Sequence, residues 1–201
     1  MGIRILPPDI NRSTGSFSVE DGSIRYGMAA VKGIGKPVME AIVEERERGG
    51  LFSSLKDFCR RLSGKEVNKR TIENFIKAGA FDSFGGTRKQ FMMIYVQVMD
   101  TVNQEKKSSM TGQMSLFDIM GEEDKKSFEI RLPDVGEYAK ESKLAFEKEV
   151  LGVYISGHPL EEYADVWKKN ITAATSDFYP MEVSGLPKVR DRAKVIVGGM
   201  I

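Results

Sequence analysis

The spacing of apolar and polar positions changes along the chain, and the changes mark out its elements. Residues 16–28 read Ser-Phe-Ser-Val-Glu-Asp-Gly-Ser-Ile-Arg-Tyr-Gly-Met. Apolar positions alternate on both sides of Asp21-Gly22, a dipeptide suited to a two-residue hairpin turn, so the segment predicts a β-hairpin. The Pro-, Asn- and Ser-bearing stretch before it reads as a connector. From residue 27 to 49 the period becomes helical, with Met28, Val31, Ile34, Val38, Ile42 and Val43 near i, i+3, i+4 spacing. Lys32-Gly33-Ile34-Gly35-Lys36 interrupts it, and two glycines around one apolar residue mark a tight turn between helical segments. Pro37 suits the first turn of the helix that follows, and Gly49-Gly50 its end.

Further on, residues 53–62 predict a short amphipathic helix with Leu55, Phe58 and Leu62 on one face. Asn68 is placed to cap a helix whose apolar face is Ile72, Phe75 and Ile76, ending at Ala78-Gly79-Ala80-Phe81-Asp82. Thr87 is placed to cap a long helix to about residue 104, with Phe91, Ile94, Tyr95, Val98 and Val102 as its stripe. Residues 105–136 are rich in Lys, Ser, Met, Gly, Glu and Asp and read as a linker with one apolar cluster, Met114 to Met120. Helical spacing returns over 137–152, and a further helix is expected over 159–169, led in by His158 and Pro159. Ala193 to Ile201 looks like a strand with no later partner, so the chain reads as a fragment cut inside a following β-domain. The predicted class is mainly α: a tandem helix-hairpin-helix bundle with an N-terminal β-hairpin and a truncated C-terminal β-strand.

Composition removes several classes of function. With 201 residues, 41% hydrophobic and 29% charged, the chain is expected to bury a core. Its single cysteine, Cys59, forms no internal disulfide and follows Leu55 and Phe58 at helical spacing, which places it in the core. One Cys and one His cannot make a four-ligand zinc site, so no metal and no cofactor are expected. No run approaches the ~20 apolar residues of a membrane span, and no export signal is visible. The expected location is cytoplasmic, away from membranes.

The net charge of +1 is uninformative, but its distribution is not. Residues 25–107 carry 16 Lys/Arg against 10 Asp/Glu, and residues 118–165 carry 6 against 13. A basic helical module followed by an acidic stretch suits a nucleic-acid surface beside a protein-facing one.

Lys32-Gly33-Ile34-Gly35-Lys36 has the helix-hairpin-helix form apolar-x-Gly-apolar-Gly-x. The glycines leave N–H groups uncovered at a helix start, where the dipole attracts anions, so a phosphate oxygen can dock there. Ile34 pins the loop inward, and Lys32 and Lys36 add charge. Such contacts read the backbone rather than the bases and are salt-sensitive. A second unit over 68–99 repeats the plan with Gly79 in its turn but has no second glycine, and Asp82 adds a negative charge. There Lys77, Arg88 and Lys89 are the candidate phosphate contacts. The other reading is a plain helical connector whose hairpins carry no DNA. A separate nuclease or glycosylase is disfavoured, because no acid cluster, lysine nucleophile setting or metal-ligand set is present.

Gln113-Met114-Ser115-Leu116-Phe117 lies in the linker. Leu116 and Phe117 are adjacent bulky anchors with no neighbouring core, and Gln113 can set an amide at a pocket rim, which suits a docking peptide. The alternative is that the two anchors fold back onto the module's own core.

Taken together, these stretches resemble the alpha subunit of bacterial DNA polymerase III, a C-family replicative polymerase. The resemblance rests on Ile24-Arg25-Tyr26-Gly27-Met28 with Lys32 to Gly35, on Val67-Asn68-Lys69-Arg70 with Lys77 to Asp82, on Gln113 to Phe117, on Glu149 to Leu160, and on Lys194 to Ile201. It implies a connector and β-hairpin over 1–26, a tandem helix-hairpin-helix domain over 27–108, and a linker with a sliding-clamp (beta subunit) motif over 109–136. A helical connector over 137–170 and the start of a truncated OB domain over 171–201 complete the plan. The implied partners are double-stranded DNA, the clamp and other holoenzyme subunits. Polymerase chemistry needs carboxylates around two metal ions, and this chain has no Asp-x-Asp arrangement, so no catalytic residue is expected here although the parent is a nucleotidyltransferase. The implied alternative is a structural connector that packs against the polymerase body without touching DNA.

Overall fold

In the computed structural model, residues 3–64, 67–110, 130–181 and 185–199 are described. They fall into two compact units, Met1–Ser156 and Gly157–Ile201.

The first unit begins with a small sheet in the order β1-β3-β2, from β1 (Ile5–Leu6), β2 (Ser18–Glu20) and β3 (Ser23–Arg25). β2 and β3 form the expected hairpin, with Val19 opposite Ile24. Asp21 and Gly22 take φ of 48° and 73°, the doubly left-handed turn whose twist matches the strands it joins. The third strand was not foreseen: β1 pairs in parallel with β3. It comes from the expected connector, which is fastened to the body elsewhere too. Ile10 is fully buried and its amide donates to the Ala80 carbonyl at 3.0 Å.

Five helices follow: α1 (Lys36–Gly49), α2 (Leu55–Arg61), α3 (Lys69–Ala78), α4 (Arg88–Met110) and α5 (Lys140–Leu151). Local chemistry explains their bounds. Pro37 lies in the first turn of α1, and Gly50 caps its end at φ 74°. Ser54 and Asn68 cap α2 and α3, each accepting from the amide three residues on. Thr87 and Gln90 exchange hydrogen bonds at the head of α4, side chain to backbone in both directions, a capping box.

The predicted apolar faces converge on one core. Phe58, Phe75 and Phe81 are buried and meet edge to face, with centroids 5.1 to 6.4 Å apart. Each such ring contributes about 1.5–3 kcal/mol by burial. α4 packs on α2 and α3, and α5 packs on α3. Cys59 is buried, and desolvation pushes its thiol up to about 12, as suits a packing residue.

One element is shorter than its spacing predicts. The segment before the first glycine turn makes only a single 3-10 turn, Met28–Ala30. Val31 is extended, and the Lys32 amide donates outward to the Val150 carbonyl at 2.8 Å, so the helical ladder cannot continue.

In the second unit the expected helix over 159–169 splits into a 3-10 turn, Pro159–Tyr163, and α6 (Ala164–Asn170). His158 caps the turn with Nδ1 accepting from Leu160 at 3.1 Å. The unit boundary at 156/157 lies inside the expected helical connector over 137–170. The expected strand over 193–201 is not formed among the described residues. Ile196 is joined only to Thr172 and Ala173, through its amide and carbonyl, and no ladder extends from there.

Candidate nucleic-acid interface

The turn Lys32–Lys36 projects from the first unit with one residue facing in. Ile34 is 8% exposed and joins the core, while Lys32, Gly33, Gly35 and Lys36 are exposed. The turn is held from behind. Asn74 on α3 donates from Nδ2 to the Lys32 carbonyl at 2.7 Å, and the Lys32 amide donates to Val150 at the end of α5. The Ile34 amide closes the turn onto the Val31 carbonyl at 3.1 Å. Among the described residues no backbone acceptor takes the amides of Gly33, Gly35 or Lys36. Two of these donors, Gly35 and Lys36, lie at the head of α1, where the helix dipole is positive.

The two glycines differ in why they are needed. Gly33 sits at φ 78°, and a Cβ there would lie 2.9 Å from the Asn74 amide nitrogen. Fold alone demands glycine at that position. Gly35 has an ordinary φ of −78°, and a Cβ would meet only Pro37 Cδ at 3.6 Å, an easy contact. The fold leaves that space open, and it is the space an approaching anion needs. Lys36 pairs with Glu40 at 3.4 Å on an exposed face, and Lys32 makes no ion pair among the described residues.

The second turn is built on the same plan and filled from within. Gly79 is left-handed at φ 80°, and a Cβ there would collide with Arg88 Nη2 and Asp82 Oδ2. Arg88, 3% exposed, is enclosed: it reaches Asp82 at 3.1 Å, Glu147 at 3.1 Å and the Lys77 carbonyl at 3.2 Å. Glu147 is fully buried and accepts from the amides of Ile155 and Ser156 at 2.8 and 2.9 Å. Burial works against its charge, but those amides and the Arg88 guanidinium outweigh it and hold its pKa below the ordinary range.

The amides at the head of α4 are also occupied. Glu137 accepts from Arg88 and Lys89, both at 3.2 Å, and from Tyr138 at 2.8 Å. Lys77 is drawn inward, its side chain 13% exposed, between Glu73 and Glu149 at 3.0 Å each. Of the three charged candidates at this turn, only the half-buried side chain of Lys89 is without an ion pair among the described residues.

Asn74, Glu137, Glu147 and Val150 are the contacts that a reading of the chain did not single out. Two had a visible sign. Asn74 is a polar residue inside the apolar face of α3, and Glu147 stands on the stripe of Leu144 and Leu151 in α5. The docking motif Gln113, Met114, Ser115, Leu116 and Phe117 lies outside the described residues. Among the described residues no group of three or more His, Cys, Asp or Glu is placed to hold a metal, and no helix is long and apolar enough to cross a membrane.

An open glycine turn at the head of one helix, followed by a related turn closed at the head of another, defines a tandem helix-hairpin-helix protein. Residues 2–91 match the family described as the helix-hairpin-helix motif. Known relatives define it further. The chain is 40% identical to DNA polymerase III subunit alpha of Borreliella burgdorferi over 81% of its length, and 39% identical to that of Vibrio cholerae over 88%. It is 35% identical to that of Deinococcus radiodurans over its whole length. It spans 14–15% of the length of these relatives. The chain belongs to the DNA polymerase III alpha subunit family and corresponds to a segment of it.

Proposed function

We propose that the chain is the part of a cytoplasmic replicative DNA polymerase that grips duplex DNA by its phosphates and docks the sliding clamp, with no share in the chemistry. The observation that carries the DNA reading is the first hairpin. It offers amides without a backbone acceptor at a helix start, a flanking lysine on each side, and free space over Gly35 that packing does not require. Binding of this kind is indifferent to base sequence and weakens as salt rises. The second hairpin, closed by Arg88 and Glu137, has a structural part. Docking of the clamp is assigned to Gln113–Phe117 on the strength of its sequence, two adjacent bulky apolar residues behind a glutamine, and contact with other holoenzyme subunits goes with membership of the family.

The decisive variant is Gly35→Asp. Aspartate caps a helix at least as well as glycine, so stability should stay within a few tenths of a kcal/mol. Its carboxylate occupies the place of a phosphate, so affinity for a short duplex should fall at least tenfold at low salt. Unchanged binding would overturn the DNA reading. Leu116→Ala with Phe117→Ala should abolish clamp binding and leave DNA binding intact. Loss of both together would show that the two sites are not separate.

A further inference from the structure

Next to the first hairpin lies a cleft of about 400 Å³ between the hairpin, one face of α3 and the end of α5. Lys32 lines it and also borders Gly33, so the cleft and the hairpin share a residue. Asn74, which holds the hairpin carbonyl, forms part of its wall. The acids in the wall are already spoken for. Glu73 and Glu149 hold Lys77 between them, and Lys77 also lies 5.6 Å from the centre of the Phe146 ring. Burial lowers the Lys77 pKa, yet the two carboxylates outweigh it and the group stays charged.

The remaining cations in the wall are a different set. Lys32 and Arg70 are exposed and make no ion pair among the described residues. Lys69 meets Asp100 at 3.0 Å, with both side chains about half exposed, a contact worth little in water. Two carboxylates around one ammonium leave a single negative charge in the floor, and Lys32, Lys69 and Arg70 outweigh it, so the cleft as a whole is positive. Arg70 in particular is attached to nothing that the fold needs.

We infer that this cleft is a second phosphate subsite, in which Lys32, Lys69 and Arg70 take a phosphate of the nucleic-acid backbone held at Gly33–Lys36. The inference rests on the DNA reading of the first hairpin and extends its footprint onto α3. Arginine at such a place can give a phosphate two parallel hydrogen bonds, which lysine cannot.

The test measures duplex binding by the full chain across a salt series, for Arg70→Ala, Lys69→Ala, Gly35→Asp and Lys168→Ala. Lys168 lies in the second unit and serves as the control. Arg70→Ala should weaken binding by about three- to tenfold, equally for unrelated sequences, and flatten the slope of log affinity against log salt by about 1. Arg70→Lys should restore the slope but only part of the affinity. If Arg70→Ala and Lys69→Ala match the control while Gly35→Asp abolishes binding, the subsite is wrong and the hairpin reading stands. If Arg70→Ala weakens binding and Gly35→Asp does not, the cleft binds backbone by itself and the hairpin reading fails. Melting temperatures unchanged by Arg70→Ala would exclude misfolding as the cause. A loss of folding in that variant would overturn the claim that Arg70 is free of structural duty.

Discussion

Asn74 donates to the carbonyl of Lys32 at 2.7 Å, so the helix that leads into the second hairpin holds the turn of the first. The amide is 7% exposed, and without it the Lys32 carbonyl faces α3 with no side-chain donor. Asn74→Ala should cost about 1–3 kcal/mol in denaturant unfolding. Amide exchange at Gly33 to Lys36 should accelerate more than exchange in the β-hairpin. Equal acceleration at both would mean that Asn74 stabilises the unit as a whole and does not fix the turn.

Arg88 and Glu147 are a buried ion pair, 3% and 0% exposed at their side chains. Removing Arg88 leaves the buried Glu147 carboxylate without a cation, which typically costs about 3–5 kcal/mol. Glu147→Ala should cost less, because Arg88 keeps Asp82 at 3.1 Å. Under conditions where Arg88→Ala is folded, its salt dependence of DNA binding should equal that of the parent chain. A flattened slope would return Arg88 to the DNA surface.

Glu137 supplies acceptors to two amides at the head of α4, those of Arg88 and Lys89, and to its neighbour Tyr138, and lies 3.5 Å from Lys143. Burial opposes its charge, but the amides of Tyr138, Arg88 and Lys89 outweigh it and lower its pKa. Glu137→Ala should expose those donors and speed exchange at Arg88 and Lys89, at a cost of about 1–3 kcal/mol. Glu137→Gln should keep an acceptor and lose less. If both variants leave exchange at these amides untouched, the carboxylate is not what caps them.

Acid should loosen the N-terminal sheet before the core. Hydrogen bonds from Arg25 and then Arg12 lower the Glu20 pKa from 4.5 to about 2. A carboxylate lowered in the folded state adds stability above its unfolded pKa and loses it as pH falls toward the folded one. The window therefore runs from about 4.5 down to about 2. Exchange of hairpin amides should rise across it, and Glu20→Gln should remove the dependence. A pH-independent hairpin over that range would refute the assignment.

The elements and their ends were readable because their causes are local. Asp21-Gly22, Asn68 and Thr87 act within four residues of themselves, and the stripe of Phe91, Ile94, Val98 and Val102 follows from periodicity alone. The open turn was readable for the same reason, since Gly33, Ile34 and Gly35 are contiguous. What was hidden depends on partners distant in the chain. Nothing near Gly79 announces Glu147, which holds Arg88 in the interior, and nothing near Lys89 announces Glu137. The first hairpin's leading helix was over-read because the partner of the Lys32 amide, Val150, is more than a hundred residues away.

The last turn of α5 has a further consequence. Its carbonyls at Val150 and Leu151 receive the Lys32 amide and the Tyr26 hydroxyl, at 2.8 and 2.7 Å. Residues 3–110 and 130–156 are thus complementary halves of one body rather than neighbours on a string. Severing a peptide bond between them should yield a nicked protein whose pieces co-migrate, and the shorter piece added in trans should restore the grip of the longer one.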